Sequence, residues 1–308
     1  MMTDFMTRFG VPGAALPVID RIVTPLEQKV LEHLPDVFRA EDVQAALGGA
    51  SGREAAPEDA KAFTAAAYRR GVFSLENEAE GRYQIGSFYS RLDIFSVTAN
   101  EAYKSFAPAV RKALDDWYFA AYLASLPVGC AAPTDDAVVS LEETLAGIDR
   151  DPRPLYLAPC DCRCLSGECG KPLLTCLSYR GGPNTFAHRG VSRLITKEEG
   201  KRIVRLSHEA GLIHTRNAGG ICNCCEDCCY LFRARKVRNS GFLWPKSAFA
   251  ISLDAEKCLS CGACVERCPF GALCFSEGTL AADPNQCVGC GLCAGSCPTG
   301  ALRLTERV

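Results

Sequence analysis

The sequence predicts an α+β protein, and three observations predict it. Capped helix signals come first and are followed by two short strand-like runs. A long helical stretch then connects to a region dense in cysteine. Near the end, a four-cysteine run recurs after 29 residues, and each copy is followed by Gly-Ala-Leu and a short strand-like run.

The first segment, residues 1–95, opens its regular structure at Thr24-Pro25-Leu26-Glu27. This is a capping box with proline at the first helical position. Val30, Leu31 and Leu34 continue at helical spacing until Pro35. Glu41 to Leu47 reads as a second helix stopped by Gly48-Gly49, and Pro57 to Arg70 as a third stopped by Gly71. Residues 72–75 and 82–85 read as a hairpin. Three short helices followed by a hairpin resemble a winged helix, a fold that binds DNA or serves as a protein-interaction module. The third helix offers only Lys61, Arg69 and Arg70, opposed by Glu58 and Asp59, so nucleic acid is not the expected partner.

Residues 96–155 read as a helical connector. Asn100 to Leu126 carries Tyr103, Phe106, Val110, Leu114, Trp117, Tyr118 and Tyr122 at spacings of three or four, which is a core-facing stripe. A short helix is expected at Ser140 to Ala146. In residues 156–245, Thr196-Lys197-Glu198-Glu199 starts a helix whose apolar face is Ile203, Val204, Leu206 and Ala210, with Gly211 as its C-cap.

The 308 residues carry 20 cysteines, about one in fifteen, and all lie between Cys130 and Cys297. The opening residues contain no apolar export core, and the most apolar stretch, Trp117 to Ala132, is shorter than the about 20 residues a membrane span needs. A cytoplasmic, reducing setting is therefore expected, where clustered cysteines bind metal rather than forming a disulfide framework. A formal net charge of −2 argues against general nucleic-acid binding. Neither G-x-G-x-x-G nor a phosphate-binding loop is present, so no nucleotide cofactor is expected.

In the last segment, residues 246–308, Cys258-x2-Cys261-x2-Cys264-x3-Cys268-Pro269 is repeated as Cys287-x2-Cys290-x2-Cys293-x3-Cys297-Pro298. Zinc sites use two C-x2-C pairs separated by a spacer, which this is not. The double run resembles the bacterial-type dicluster ferredoxin, a small fold holding two [4Fe–4S] clusters. That resemblance implies crossed ligation. One cluster would take Cys258, Cys261, Cys264 and Cys297, and the other Cys287, Cys290, Cys293 and Cys268. Gly262 and Gly291 suit the unusual backbone of such loops. Cys130 and Cys274 fall outside the clusters, and Cys274 reads as a buried inert thiol.

Ten middle cysteines remain. Cys160, Cys162, Cys169, Cys176, Cys222, Cys224, Cys225 and Cys228 are the leading metal ligands, with Cys164 and Cys229 as secondary candidates. Two further [4Fe–4S] clusters, one larger cluster or two zinc ions all fit this many thiols. Cys160-x-Cys162-Arg163, Cys169-x2-Pro172 to Cys176, Gly190 to Glu199, Gly211 to His214 and Cys222-Asn223-Cys224-Cys225 are similar to a family of iron–sulfur proteins. In that family such a region precedes a dicluster ferredoxin and follows a winged-helix-like segment. The resemblance implies iron–sulfur electron transfer, with anaerobic metabolism as its setting. Arg163 and His214 are placed to donate to cluster sulfurs or handle a proton; the plainer reading is a surface arginine and a hydrogen-bonded histidine. The basic run Arg233, Arg235, Lys236, Arg238 offers a docking face or a solvated one.

The expected function is passage of single low-potential electrons between a donor and a partner enzyme. The chain would act as an electron-transfer subunit or carrier rather than a stand-alone oxidoreductase. Two alternatives stand beside it: a reductase with its own active site at a middle cluster, and a redox-sensing DNA-binding regulator.

Overall fold

The computed structural model describes residues 4–52, 55–167 and 169–307. It mixes helix and strand throughout, and it separates into two compact units. The first comprises Met1–Ala120, Cys164–Ser166 and Gly181–Arg193; the second comprises Ala121–Arg163, Gly167–Arg180 and Leu194–Val308.

In the first unit the capping box forms as its sequence dictates. Glu27 N–H donates to Thr24 Oγ1 at 3.3 Å and Thr24 N–H to Glu27 Oε2 at 2.7 Å, starting the Pro25–His33 helix. Glu27 is buried, and Arg70 Nη2 donates to it at 3.1 Å. The second helix, Ala40–Ser51, runs through Gly48-Gly49 instead of stopping there. Two glycines weaken a helix without forbidding it, and the stop comes at Gly52, whose φ of 70° suits a C-cap. The third helix is Pro57–Arg69. The strands Val37–Phe38, Arg82–Ile85 and Phe73–Asn77 pair in that order, antiparallel throughout. A helix at Phe88–Thr98 follows that the sequence reading did not include.

The expected continuous helix over 100–126 is instead two, Asn100–Lys104 and Pro108–Ser125. Pro108 cannot donate to a preceding turn, so it starts a new helix. The core stripe survives the break: Tyr103, Phe106, Leu114 and Tyr118 are all buried.

The second unit is organised by a seven-stranded sheet among the described residues. Its order is Lys246–Ser247, Ala137–Val138, Ile213–Asn217, Gly220–Cys224, Leu174–Ser178, Leu155–Pro159 and Arg193–Ile195. The helices Leu141–Arg150 and Lys197–Glu209 cover one face. Ile148, Leu157, Leu177, Ile203, Val204 and Ile221 form the core between. The helix expected at 140–146 therefore extends to Arg150, started by Ser140, whose Oγ accepts from Glu143 N–H.

Register fixes what the opposite face carries. Leu157 pairs with Leu177, and Leu177 with Ile221, so all three point to the helices. Their neighbours alternate. Cys176 pairs with Ala158, Cys222 with Thr215 and Cys224 with Ile213, which puts three thiols on the far face. His214 and Asn223 pair on the helix side.

The last 60 residues form two antiparallel strand pairs, the terminal strands Phe249–Leu253 with Leu302–Glu306 and the hairpin Leu273–Ser276 with Thr279–Ala282, plus the short helices Ala263–Arg267 and Leu292–Gly295. Leu273, Leu280 and Leu302 make their common core with Cys264 and Cys293.

Candidate metal centres

The eight cysteines of the repeat surround two recesses. Cys258, Cys261, Cys264 and Cys297 line one, and Cys268, Cys287, Cys290 and Cys293 line the other. Each recess thus takes three cysteines from one run and the last from the other. Gly262 and Gly291 sit at φ 79° and 77°, turning each loop into its short helix. The donor set suits a cubane: four thiols around an apolar recess, with backbone N–H groups aimed at sulfur. Ser260 N–H donates to Cys258 Sγ at 3.4 Å and Gly289 N–H to Cys287 Sγ at 3.4 Å.

The two recesses differ electrostatically. Burial pushes the Cys290 and Cys293 thiols up to about 12. At Cys297 the burial cost is outweighed by N–H groups of Leu302, Thr299 and Ala301 and by the Thr299 hydroxyl, which together bring its pKa to about 7.

The ten middle cysteines do not form one group. Cys160, Cys162, Cys176, Cys222, Cys224 and Cys229 make a continuous nest. Cys162 contacts Cys160 and Cys229, Cys224 contacts Cys229 and Cys222, and Cys222 contacts Cys176. Three come from the sheet face, two from the start of the Asp161–Ser166 helix, and Cys229 caps the Tyr230–Arg238 helix. Hydrogen bonds from neighbouring thiols hold Cys222 and Cys229 low, and the same contacts push Cys162, Cys176 and Cys224 up. Cys169, Cys225 and Cys228 gather elsewhere, with Asp227. Cys164 groups with the first unit. Two residues along a helix from Cys162, it projects from the opposite side.

Two expectations are corrected. Cys274 is exposed, because it alternates with buried Leu273 in its strand. Arg163 is not a surface residue: it is 1% exposed. Its Nε donates to Pro172 O at 3.0 Å, its Nη1 to Asn223 O at 2.7 Å, and its Nη2 to Thr175 Oγ1. Burial opposes its charge, but Cys160 and Cys225 more than offset that and keep it protonated. His214 is fully buried and hydrogen-bonded, its Nδ1 2.7 Å from Asn223 Oδ1 and its Nε2 3.1 Å from His208 Nδ1. The basic run serves the chain itself in part: Arg235 is buried, donating to Gly241 O at 2.7 Å, and Arg238 donates to Cys130 O at 2.7 Å.

Sequence reasoning missed Asp161, Asp227, Asn223 and Thr299. The signal for the first three was position, since each lies between candidate cysteines. Burial raises the Asp161 carboxyl, with thiols beside it. Asp227 Oδ1 accepts from Cys228 N–H at 2.8 Å.

No helix among the described residues is long and apolar enough to cross a membrane. No curated protein and no solved structure matches the chain. A family model described as a 4Fe–4S binding domain matches residues 251–274 and 281–303. The C-terminal segment therefore carries two adjacent 4Fe–4S binding repeats, consistent with a dicluster ferredoxin and supporting an iron–sulfur electron-transfer role.

Proposed function

We propose that the chain passes single low-potential electrons between a redox donor and a partner enzyme through two [4Fe–4S] clusters and a further metal centre at the six-thiol nest. The observation that carries this is the crossed grouping of eight cysteines in two recesses. On this reading Cys258, Cys261, Cys264 and Cys297 hold one cluster, and Cys268, Cys287, Cys290 and Cys293 hold the other. Bound there, each cluster supplies a one-electron couple.

The chain's own residues set how that couple behaves. N–H groups of Ser260, Leu302 and Thr299 stabilise negative charge at the first set of thiolates. Burial of Cys290 and Cys293 disfavours added charge at the second. At the nest, Arg163 supplies a buried positive charge. The helix–strand–helix–helix–hairpin order of the first unit supports a winged-helix-like interaction module over residues 1–95. Residues 96–155, 156–245 and 246–308 then serve as connector, thiol-rich region and dicluster segment.

The test is anaerobic purification with iron and sulfide counted per chain, followed by chemical reduction and electron paramagnetic resonance. Eight irons belong to the repeat, by four-iron arithmetic; irons beyond that belong to the nest. Fewer than about six irons with no reducible signal would overturn the reading.

A further inference from the structure

Nine of the ten middle cysteines belong to the second unit, and they fall into two sets that interleave in sequence. Cys224 and Cys225 are neighbours, as are Cys228 and Cys229. Cys224 and Cys229 belong to the nest, whereas Cys225 and Cys228 belong to the group with Cys169 and Asp227. One ligand atom from each of Cys169, Cys225, Asp227 and Cys228 lies within 4.8 Å of all the others. Cys225 and Cys228 are buried against Leu212; Cys169 is half-buried and Asp227 exposed.

This spacing discriminates between metal centres. Four donors on one tetrahedral ion, with metal–sulfur bonds of about 2.3 Å, stand about 3.8 Å apart. Four thiolates of a cubane each sit on a different iron and stand wider. The eight cysteines of the repeat ring their recesses without making any such close foursome among the described residues. The Cys169 group does make one, and its donors are three thiols and one carboxylate.

We propose that Cys169, Cys225, Cys228 and Asp227 form a mononuclear tetrahedral zinc site, separate from the six-thiol nest. Three thiolates and a carboxylate around a divalent ion leave a net charge of about −2. The structure already answers it. The Arg163 guanidinium reaches Cys225, and the Lys171 N–H reaches Cys169. Asp227 Oδ1 accepts the Cys228 N–H at 2.8 Å, and the same carboxylate contacts the Cys225 and Cys228 thiols that the ion would join. The ion fastens the Cys225–Cys228 turn to the loop carrying Cys169. By doing so it sets the spacing of Cys224 and Cys229, the nest thiols that flank that turn.

The proposal rests on reading the middle thiols as metal ligands, and not on the dicluster assignment. Its first test uses the full chain purified anaerobically. Zinc is counted per chain, and X-ray absorption is recorded at the zinc edge. One zinc with three sulfur neighbours and one oxygen is expected; no zinc, or a shell of four sulfurs, overturns it. In Cys225→Ser, zinc should fall to a small fraction of one per chain while the eight irons of the repeat stay. Iron falling by about four with zinc unchanged also overturns it. Should that variant fail to fold, Asp227→Asn keeps all three thiols. It should lose zinc to a competing chelator at about tenfold lower chelator concentration. Unchanged zinc retention in Asp227→Asn overturns the assignment of the fourth ligand. Absence of a reducible cluster signal, with zinc in place, would defeat the electron-transfer reading alone.

Discussion

Arg163 donates through Nη1 to the backbone carbonyl of Asn223 at 2.7 Å, and so joins the start of one thiol-bearing helix to the middle of the thiol-bearing strand. Asn223 in turn donates through Nδ2 to Thr175 O at 2.7 Å, one residue before Cys176. Arg163→Met therefore orphans two buried acceptors, Asn223 O and Thr175 Oγ1, at about 1–3 kcal/mol each, leaves the part-buried Pro172 O to water, and removes the positive charge beside Cys160 and Cys225. The expected outcome is loss of metal from the middle region with the eight irons of the repeat retained, read by metal analysis. Arg163→Lys should recover little, since an ammonium cannot span acceptors fixed for a planar fork.

The two recesses should hold couples of different potential. At Cys297 the N–H groups outweigh burial, whereas at Cys290 and Cys293, as at Cys264, burial outweighs the donors. Donors favour the more negative, reduced form. Thr299→Val removes a hydroxyl that donates to Lys257 O at 2.7 Å and lies 3.7 Å from Cys297 Sγ, and so loosens the loop whose N–H groups face that sulfur; it should lower one of two potentials by about 20–60 mV, leaving the other in place. A redox titration in which neither or both potentials move would contradict this.

Gly289 sits at φ 65°, and a Cβ there would lie 2.2 Å from Phe249 O. Gly289→Ala forces both a left-handed alanine and a backbone clash, at about 3 kcal/mol or more. Thermal unfolding followed by cluster absorbance should show the loss, together with reduced iron content.

Burial lowers the pKa of His214 to about 4, with nearby His208 adding to the shift and the Asn223 contact opposing it. Its folded value lies below the ordinary value near 6.5, so the unfolded chain binds the proton more tightly. The neutral ring contributes stability fully above pH of about 6.5, and that stability is lost as pH falls towards about 4, up to about 3 kcal/mol. Denaturant midpoints measured between those values should fall less steeply with acid in His214→Gln than in the wild type.

The first unit should not bind DNA. In the Pro57–Arg69 helix, Lys61 and Arg69 are exposed beside Glu58 and Asp59, and Arg70 is committed to Glu27. Fluorescence anisotropy with random duplex at about 50 mM salt should show no binding. A salt slope steeper than about −3 would restore the regulator reading.

The four-cysteine run with its following proline was legible because it is a local pattern, whereas its crossing came only from the resemblance to dicluster ferredoxins: Cys268 and Cys297 reach the opposite recess through packing of the two repeats. Helix starts at Thr24 and Thr196 were legible for the same reason: a cap is local chemistry. The partition of the middle cysteines was not. Adjacent Cys224 and Cys225 part company only because a strand ends between them, and Cys222 and Cys176 meet only because strands pair across more than 40 residues. Burial of Arg163 depends on Asn223, 60 residues away. The stop of the second helix was misread because Gly48-Gly49 is a weak break when the cap that ends the helix, Gly52, lies just beyond.

The strand Gly220–Cys224 carries two chemistries in antiphase, with Cys222 and Cys224 facing the nest and Asn223 facing His214. A substitution at Cys222, Asn223 or Cys224 disturbs one face and leaves the other in place, while at Gly220 a Cβ would meet Leu177 O at 2.3 Å. A change of length disturbs both faces at once. Deleting Ala218 from the preceding turn and shifting the strand by one position would carry both thiols to the helix side and put the amide among the remaining sulfurs. The number of residues in this turn is thus as constrained as the identity of Asn217, Gly219 and Gly220, and any insertion that survives there should come with a second that restores the parity.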